Sequence, residues 1–542
     1  MSRRALVLFL ALLAAAGTGA CLALALFGHR DLLLVAMKDD GFYYLTLARN
    51  IAAGRGATFD GLGPTNGFHP LWTMILTPLF WVPAASLYTP VRLMLVLSVA
   101  LHVAAAWAVA RAAESITSRF AARVAGLFYL ANPIGLYLVV SGMEAPLVGL
   151  LVALLAGESI RLRAGTSTLA RPVAWARLGL LCGLTILART DTVMLVGLVL
   201  AGAAFVPPLS RSSADGGAVG SPFLRFRGAV AAGAMATLVI APWILWNLVR
   251  FGTIVQVSAR SHRLHSLLNR APDGPAGVEG AARTSLSLGE ALLRQLAART
   301  HLPQSVALAL LAVAAATAAV WLAGLLRPRA ARAAILTRLR CLDAPVVYAV
   351  GILLATFVIL RHIRSWYISG PLVVGALVLA ILLEAGWGEI RGSRGTRPLS
   401  RLLVGTIVFA HAVLFPAYVN EIVMSARVPF VWREAAAWVD AHTVEGDRVA
   451  SFNSGSFGYL SPRPVVNLDC VVNNPGMEAL EQRRLLAFLE ERGVRYLLDD
   501  PFYVNRYMNA YAGGDWKAAV VPVETLRERM RVYAVHPIAQ TP

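Results

Sequence analysis

The sequence predicts a polytopic α-helical membrane protein of about 11 transmembrane helices, with a small extracytoplasmic α/β domain at its C-terminus. Three observations carry that reading. The 542 residues are 57% hydrophobic and only 15% charged, with a mean hydropathy of +0.64, too apolar for a soluble chain. Arginines gather between alternate apolar runs. From about Pro429 the composition becomes mixed, and helix and strand periods alternate.

A membrane-spanning helix needs about 20 mostly apolar residues. The first run, Ala5–Phe27 after "MSRR", has no small-residue cleavage site ahead of a soluble domain, so it reads as a retained span and not a signal peptide. Further spans are expected at Val91–Ala112, Ala121–Val140, Ala145–Leu162, Val173–Thr190 and Thr192–Leu209. Others follow at Ala229–Val249, Val306–Leu326, Ala344–Leu360, Trp366–Ala385 and Leu402–Val419. The segment "HPLWTMILTPLFWVP" is short, proline-rich and flanked by tryptophan, which suits an interfacial or re-entrant helix.

Arginine settles the count. With that segment left out, "RAAESITSRFAAR", "RLRAGTSTLARPVAWAR", "RSSADGGAVGSPFLRFR", "RPRAARAAILTRLR" and "RGSRGTRPLSR" fall on one side with Arg3 and Arg4. These stretches hold about 20 arginines, and the positive-inside rule makes their side cytoplasmic. The N-terminus is then inside and the C-terminus outside, in a bacterial inner membrane. The formal charge of +19 is accounted for by these loops, which removes the case for a nucleic-acid partner. Cys21, Cys182, Cys341 and Cys470 lie far apart and form neither a metal spacing nor a disulfide framework.

The same count places several polar clusters together on the outer face: the first loop (28–90), "SGMEAP", "ARTD", the long loop 251–304 and "RHIRSWY". The transmembrane domain runs to 428 and the α/β domain covers 429–542. In the latter, "WREAAAWVDAH" and "ALEQRRLLAFLEERG" read as helices, and "RVASF", "PVVNLDCVV" and "VRYLLDD" as strands. "NSGSFGYLSPRPVVNLD" and "LLDDP" read as ordinary loops at strand ends.

The first loop is the strongest candidate site. Periodicity from Gly41 to Asn50 puts Tyr44, Leu47, Ala48 and Ile51 on one apolar stripe, and "GRG" ends the helix. Asp39 and Asp40 stand at its start, one suited to cap the helix and the other to project into a cavity. The turn-rich "GLGPTNGFHP" returns Asn66 and His69 to the same place.

The stretch "DDGFYYLTLARNIAAGRG…PTNGFHPLW", preceded by one apolar helix, resembles the first outer loop of GT-C fold glycosyltransferases. These polytopic enzymes use polyprenyl-phosphate-linked sugars and include protein mannosyltransferases, aminoarabinose lipid A transferases and arabinofuranosyltransferases. The resemblance extends through "NPIGLYLVVSGMEAPL", "GLLCGLTILARTD", "APWILWNLVRFG" and "RSWYISGPLVV". The "HPP" of mannosyltransferase-like members is "HPL" here, so donor sugar and acceptor stay open.

The resemblance implies an inverting transfer from a polyprenyl-phosphate sugar to a hydroxyl of a cell-envelope glycan, lipid or protein. It implies a first-loop acid as general base, mapped to Asp39, with Asp40 orienting it or joining a metal site. Asp39 is preferred because Asp40 falls on the stripe with Tyr44. The cofactor this pattern admits is a divalent cation (Mg, Mn or Ca) at Asp39 and Asp40.

The leaving phosphate needs cationic help, for which Arg260, Arg263, Arg361, His362, Arg364 and Tyr367 are candidates; interfacial snorkelling explains them equally well. Glu144 suits a first-turn dipole partner as well as a substrate ligand. Arg189 and Asp191 suit a pair tying two helix ends as well as a functional charge pair. The resemblance moves Glu144 and Asp191 towards the cavity rim. His102 reads as a buried, satisfied histidine. The contrasting functions are a transporter and a non-catalytic lipid-binding membrane protein; the one-sided polar clusters and the lack of an internal repeat argue against transport.

Overall fold

The computed structural model describes residues 2–83, 86–164, 172–209, 221–268, 323, 329–356, 364–390, 430–527 and 530–537. The first spanning helix, α1 (Arg3–Phe27), is followed by the short α2 (Arg30–Ala36), α3 (Asp39–Ala52) and α4 (Pro70–Leu76). Then come α5 (Tyr88–Glu114), α6 (Arg119–Ala131), α7 (Pro133–Val140), α8 (Ala145–Ala164), α9 (Pro172–Ala188) and α10 (Val193–Phe205). The helical part continues with α11 (Pro222–Phe251), α12 (Val257–Leu268), α13 (Arg329–Leu339), α14 (Asp343–Leu354) and α15 (Ser369–Ile390).

The chain is a multi-pass membrane protein. Among the described residues, 5 helices are long and apolar enough to cross a membrane, or 6 with the bent pair α6–α7 taken as one span. The stretch Ala121–Val140, expected as a span, is bent in its middle. The helix breaks by 48° because Pro133 removes a donor, and the Asn132 side chain caps α7 instead, accepting from the Ile134 and Gly135 N–H groups. The expected spans Val306–Leu326 and Leu402–Val419 lie outside the described residues. The segment Pro70–Phe80 is one of three shorter apolar helices.

Small residues let the helices approach. A Cβ on Gly179 or Gly183 of α9 would run into the backbone of Ala232 or Ala236 on α11, the close packing that holds helices together where water gives no drive. At the opposite ends of the helices from the site described below, Arg163 at the end of α8 pairs with Asp343 at the start of α14 (2.8 Å).

After 430 the chain forms α16 (Val431–His442), β1 (Arg448–Ser451), α17 (Ser454–Leu460), β2 (Val465–Asn467), α18 (Asn474–Glu481), α19 (Leu485–Glu491), β3 (Val494–Asp499) and α20 (Pro501–Tyr511). It closes with the hairpin β4 (Val520–Arg527) and β5 (Met530–Val535). The sheet order is β2-β1-β3-β5-β4, with β2, β1 and β3 parallel and β5 and β4 antiparallel. The one long helix expected over "ALEQRRLLAFLEERG" is two, because Arg483 takes a left-handed φ of 54° between them. The strand expected over "PVVNLDCVV" stops at Asn467, and the chain turns through Cys470 at φ 61°. "SGSFGYL" is not a loop but α17.

Candidate functional site

Every polar cluster of the site lies at one set of helix ends. Asp40 follows α1, Glu144 precedes α8, Arg189 follows α9, Asp191 precedes α10, Gln256 follows α11, and Trp366 with Tyr367 precede α15. Successive antiparallel helices bring those ends to one face, where these residues line a cavity of about 120 Å³.

Helix α3 is held across the turn before α8. The Lys38 N–H donates to the Ser141 carbonyl (3.0 Å), and Gly41 sits so close that a Cβ would come 2.7 Å from that same oxygen. This crossing brings Tyr44 to Glu144, with the hydroxyl donating to the carboxylate at 2.8 Å. Asp40, Tyr43 and Tyr44 follow helical spacing (i, i+3, i+4) and line the cavity together.

The two first-loop aspartates have separate surroundings. Adjacent helical residues point about 100° apart. Asp39 faces the α/β unit, where its carboxylate accepts from the N–H of Gly455 (2.9 Å), the N–H of Ser456 (2.7 Å) and the Ser456 hydroxyl (2.5 Å). It therefore caps α17 from another part of the chain. Asp40 faces the cavity, with 23% of its side chain exposed and the Arg364 guanidinium 3.9 Å away. Burial raises the Asp40 pKa to about 6; Arg364 opposes this, while Asp39 and Glu144 add to it. The apolar stripe that counted against Asp40 turns one of its own residues, Tyr44, to the cavity.

Glu144 is fully buried. Arg189 donates to it at 2.8 Å, His69 Nε2 lies 3.7 Å away, and Arg189 also donates to Asp191 at 2.9 Å. The same guanidinium lies over the Tyr367 ring at 4.2 Å. Burial lowers the His69 pKa, against the pull of Glu144, so the ring favours its neutral form. Its Nδ1 has no hydrogen-bond partner among the described residues. Gln256 closes the rim, donating to the Phe68 carbonyl (2.7 Å) and accepting from Thr190 (3.2 Å).

Other candidates lie elsewhere. Asn66 is a buried knot, bonded to Asn247, Val255, Val257 and Asn474. Arg260 is paired with Glu481 of the α/β unit, and neither it nor Arg263 is among the lining residues, although His262 of the same helix is. Arg361 and His362 lie outside the described residues. His102 meets the Leu130 carbonyl at 3.2 Å.

Sequence reasoning missed Tyr43, Gln256, Val471 and Asp469. Helical spacing from Asp40 would have found Tyr43. Asp469 gives no local signal: it accepts from the Tyr43 hydroxyl (3.2 Å) across 426 positions. Burial raises the Asp469 pKa to about 7; bonds from Val471 and Asn467 oppose this, and the charges of Asp40 and Asp39 add to it.

A divalent ion at Asp39 and Asp40 finds few further ligands among the described residues. Asp39 is committed to α17, its neighbour looks the other way towards a guanidinium, and among the described residues no group of three His, Cys, Asp or Glu could hold a metal.

The whole arrangement has known relatives in shape. ArnT from Cupriavidus metallidurans bound to undecaprenyl phosphate superposes with a TM-score of 0.54 at 10% identity, over 96% of this chain and 98% of that one. The fold is that of the GT-C glycosyltransferases. A second GT-C structure, the Archaeoglobus fulgidus oligosaccharyltransferase tethered with an acceptor peptide containing the NVT sequon, gives 0.53 at 13% identity, over 99% of this chain and 75% of that one. Its apo form gives 0.51 at 15%, over 96% and 73%. Residues 420–535 match a domain of unknown function, DUF8728. No curated protein matches the sequence.

Proposed function

We propose that this chain transfers a sugar from a polyprenyl-phosphate donor to an acceptor hydroxyl, with inversion, and that Asp40 is the general base. The observation that carries the reading is the division of labour in α3: Asp39 is spent on capping α17, whereas Asp40 opens into the cavity with a raised pKa. A base needs access to the hydroxyl and a pKa near working pH.

In the step, Asp40 takes the acceptor hydroxyl proton as that oxygen bonds to the anomeric carbon. The bond from that carbon to the phosphate oxygen breaks, and its electron pair leaves with polyprenyl phosphate. Arg364, which is not itself a lining residue but stands 3.9 Å from Asp40, is the cation assigned to the growing phosphate charge. Arg189 is neutralised by Glu144 and Asp191 and serves as scaffold. No step is routed through a divalent ion.

The reading places the cavity outside a bacterial inner membrane, with the N-terminus inside, and treats 1–428 as the transmembrane domain and 429–542 as an extracytoplasmic domain. The support is that described arginines such as Arg111, Arg161, Arg225 and Arg338 stand at the helix ends opposite the cavity. The relatives described as bound to undecaprenyl phosphate or to an acceptor peptide support the substrate classes. The test is incubation of purified protein with radiolabelled polyprenyl-phosphate hexoses and pentoses, following release of lipid phosphate. Release that persists in Asp40→Asn would remove Asp40 from the role; release from no donor, with uptake into vesicles instead, would replace the enzyme with a transporter.

A further inference from the structure

Helix α3 grips the α/β unit at both of its ends, with charges of opposite sign. Asp39 stands in its first turn and Arg49 in its last. The Asp39 carboxylate takes the N–H groups of Gly455 and Ser456 at the start of α17. The Arg49 guanidinium donates to the Tyr459 carbonyl (3.0 Å) and the Gly458 carbonyl (3.3 Å) at the end of α17. Carbonyls there lack partners within the helix, and a cation complements the dipole. The two helices therefore run side by side in the same direction, each end of α17 matched by the opposite charge.

The seam between them has no slack. A Cβ on Gly455 would strike the Asp39 backbone oxygen, and one on Gly458 would strike the Phe59 ring. Phe59 in turn meets the Tyr43 ring edge-on at 5.3 Å. Tyr459 packs on Phe42 (5.6 Å) beneath the Arg49 guanidinium (5.1 Å), and its hydroxyl donates to the Leu87 carbonyl (2.6 Å) ahead of α5.

Helical geometry turns this grip into an orientation. At about 100° per residue, Asp39, Phe42 and Arg49 fall within about 80° of one another, on the face towards α17. Asp40, Tyr43 and Tyr44 fall within about 100°, on the face towards the cavity. A bond at each end holds the helix against rotation, and rotation is what would carry Asp40 out of the cavity.

We propose that Arg49 is a positioning residue for Asp40: with Asp39 it clamps α17 at both ends, and the clamp holds α3 at the rotation that turns Asp40 into the cavity. The proposal rests on the sugar-transfer reading and adds to it a residue about 14 Å along the helix axis from the base.

The sign of one measurement separates seating from charge. Burial is the largest cause of the raised Asp40 value; Asp39 and Glu144 add to it, while Arg364 and Lys38 oppose it. Tyr43, Tyr44 and Asp469 feel the Asp40 charge in turn. Loss of the Arg49 cation alone raises the Asp40 value, whereas a loosened α3 lets water reach the carboxyl and lowers it.

The test uses the full chain in detergent. The Asp40 carboxyl is titrated by infrared spectroscopy, its band assigned by loss in Asp40→Asn, and release of lipid phosphate from radiolabelled polyprenyl-phosphate sugars is followed in parallel. In Arg49→Met the midpoint should fall from about 6 towards the ordinary carboxylate range, and turnover should drop about tenfold or more. Arg49→Lys, which keeps a cationic donor, should restore both. Gly458→Ala wedges the seam without changing any charge; it should lower the midpoint as well, and it stands in where Arg49→Met does not fold. A midpoint that stays at about 6 with only the melting temperature reduced makes Arg49 structural, and one that rises makes its effect one of charge; either overturns the proposal. A midpoint that falls while wild type releases no lipid phosphate would refute transfer and leave the placement of Asp40 by Arg49 standing.

Discussion

Glu144 and Arg189 meet at 2.8 Å with 1% and 5% of their side chains exposed, and Asp191 holds the other edge of the same guanidinium at 2.9 Å. The pair joins the start of α8 to the end of α9 directly beneath the cavity. Removing Arg189 strands the buried Glu144 carboxylate, which costs about 3–5 kcal/mol, whereas removing Glu144 leaves Arg189 paired with Asp191. Arg189→Ala should lower unfolding stability on that scale and Glu144→Ala by less, and the double variant should lose less than the sum. Denaturant melts of the four proteins in detergent check this; additive losses would show that the pair is not coupled.

Asp40→Asn should reduce transfer by about 10²-fold or more, the usual share of a general base. Wild-type turnover should fall as pH drops through about 6, because the ionised carboxylate is the active form. Stability moves oppositely. A folded pKa raised above the unfolded value gives stability that is full below the unfolded pKa and lost as pH rises through about 6. The inactive variant should therefore melt higher than wild type at pH 8. Paired rate and melting profiles decide the matter.

Arg364→Ala should weaken donor binding and shift the acid limb of the rate profile to higher pH. The guanidinium 3.9 Å from Asp40 favours its ionised form, so removing it raises the carboxyl pKa further. An acid limb that stays in place would mean that the charge does not act on the base, and unchanged donor binding that it does not act on the phosphate.

Asp39→Asn should act on assembly. Its carboxylate holds both the Gly455 and Ser456 N–H groups, and a cap of this kind is worth about 1 kcal/mol. Limited proteolysis should show the α/β unit cut more readily, while the acid limb of the residual turnover moves to lower pH, because the Asp39 charge that adds to the Asp40 pKa is gone. Gly67→Ala should loosen the same seam more strongly, because its new methyl group would meet backbone, which cannot rotate away. Equal cleavage rates in all three proteins would detach Asp39 from this role.

Several of the helices, and the gathering of polar clusters at one set of their ends, were legible because span length and the position of polar breaks are properties of local sequence. The convergence of Asp40, His69, Glu144, Arg189 and Asp191 followed from their place at alternate helix ends before any distance was known. Three features were not legible. The break at Asn132 depends on a side-chain cap that competes with a hydropathy window. The roles of Asp39 and Asp40 depend on which face α17 occupies, and that is set by residues more than 400 positions away. The hairpin β4–β5 was passed over because its burial is uneven along β4, which blurs the period of two.

Asp39 is made early in synthesis, whereas its partner Ser456 lies 417 residues further on. At a translation rate of about 5–20 residues per second, the carboxylate waits tens of seconds for its cap. During that interval every intervening helix must be inserted and the α/β unit folded. The nascent protein therefore passes through a stage in which its lipid-embedded part is in place but its working chamber still lacks one wall.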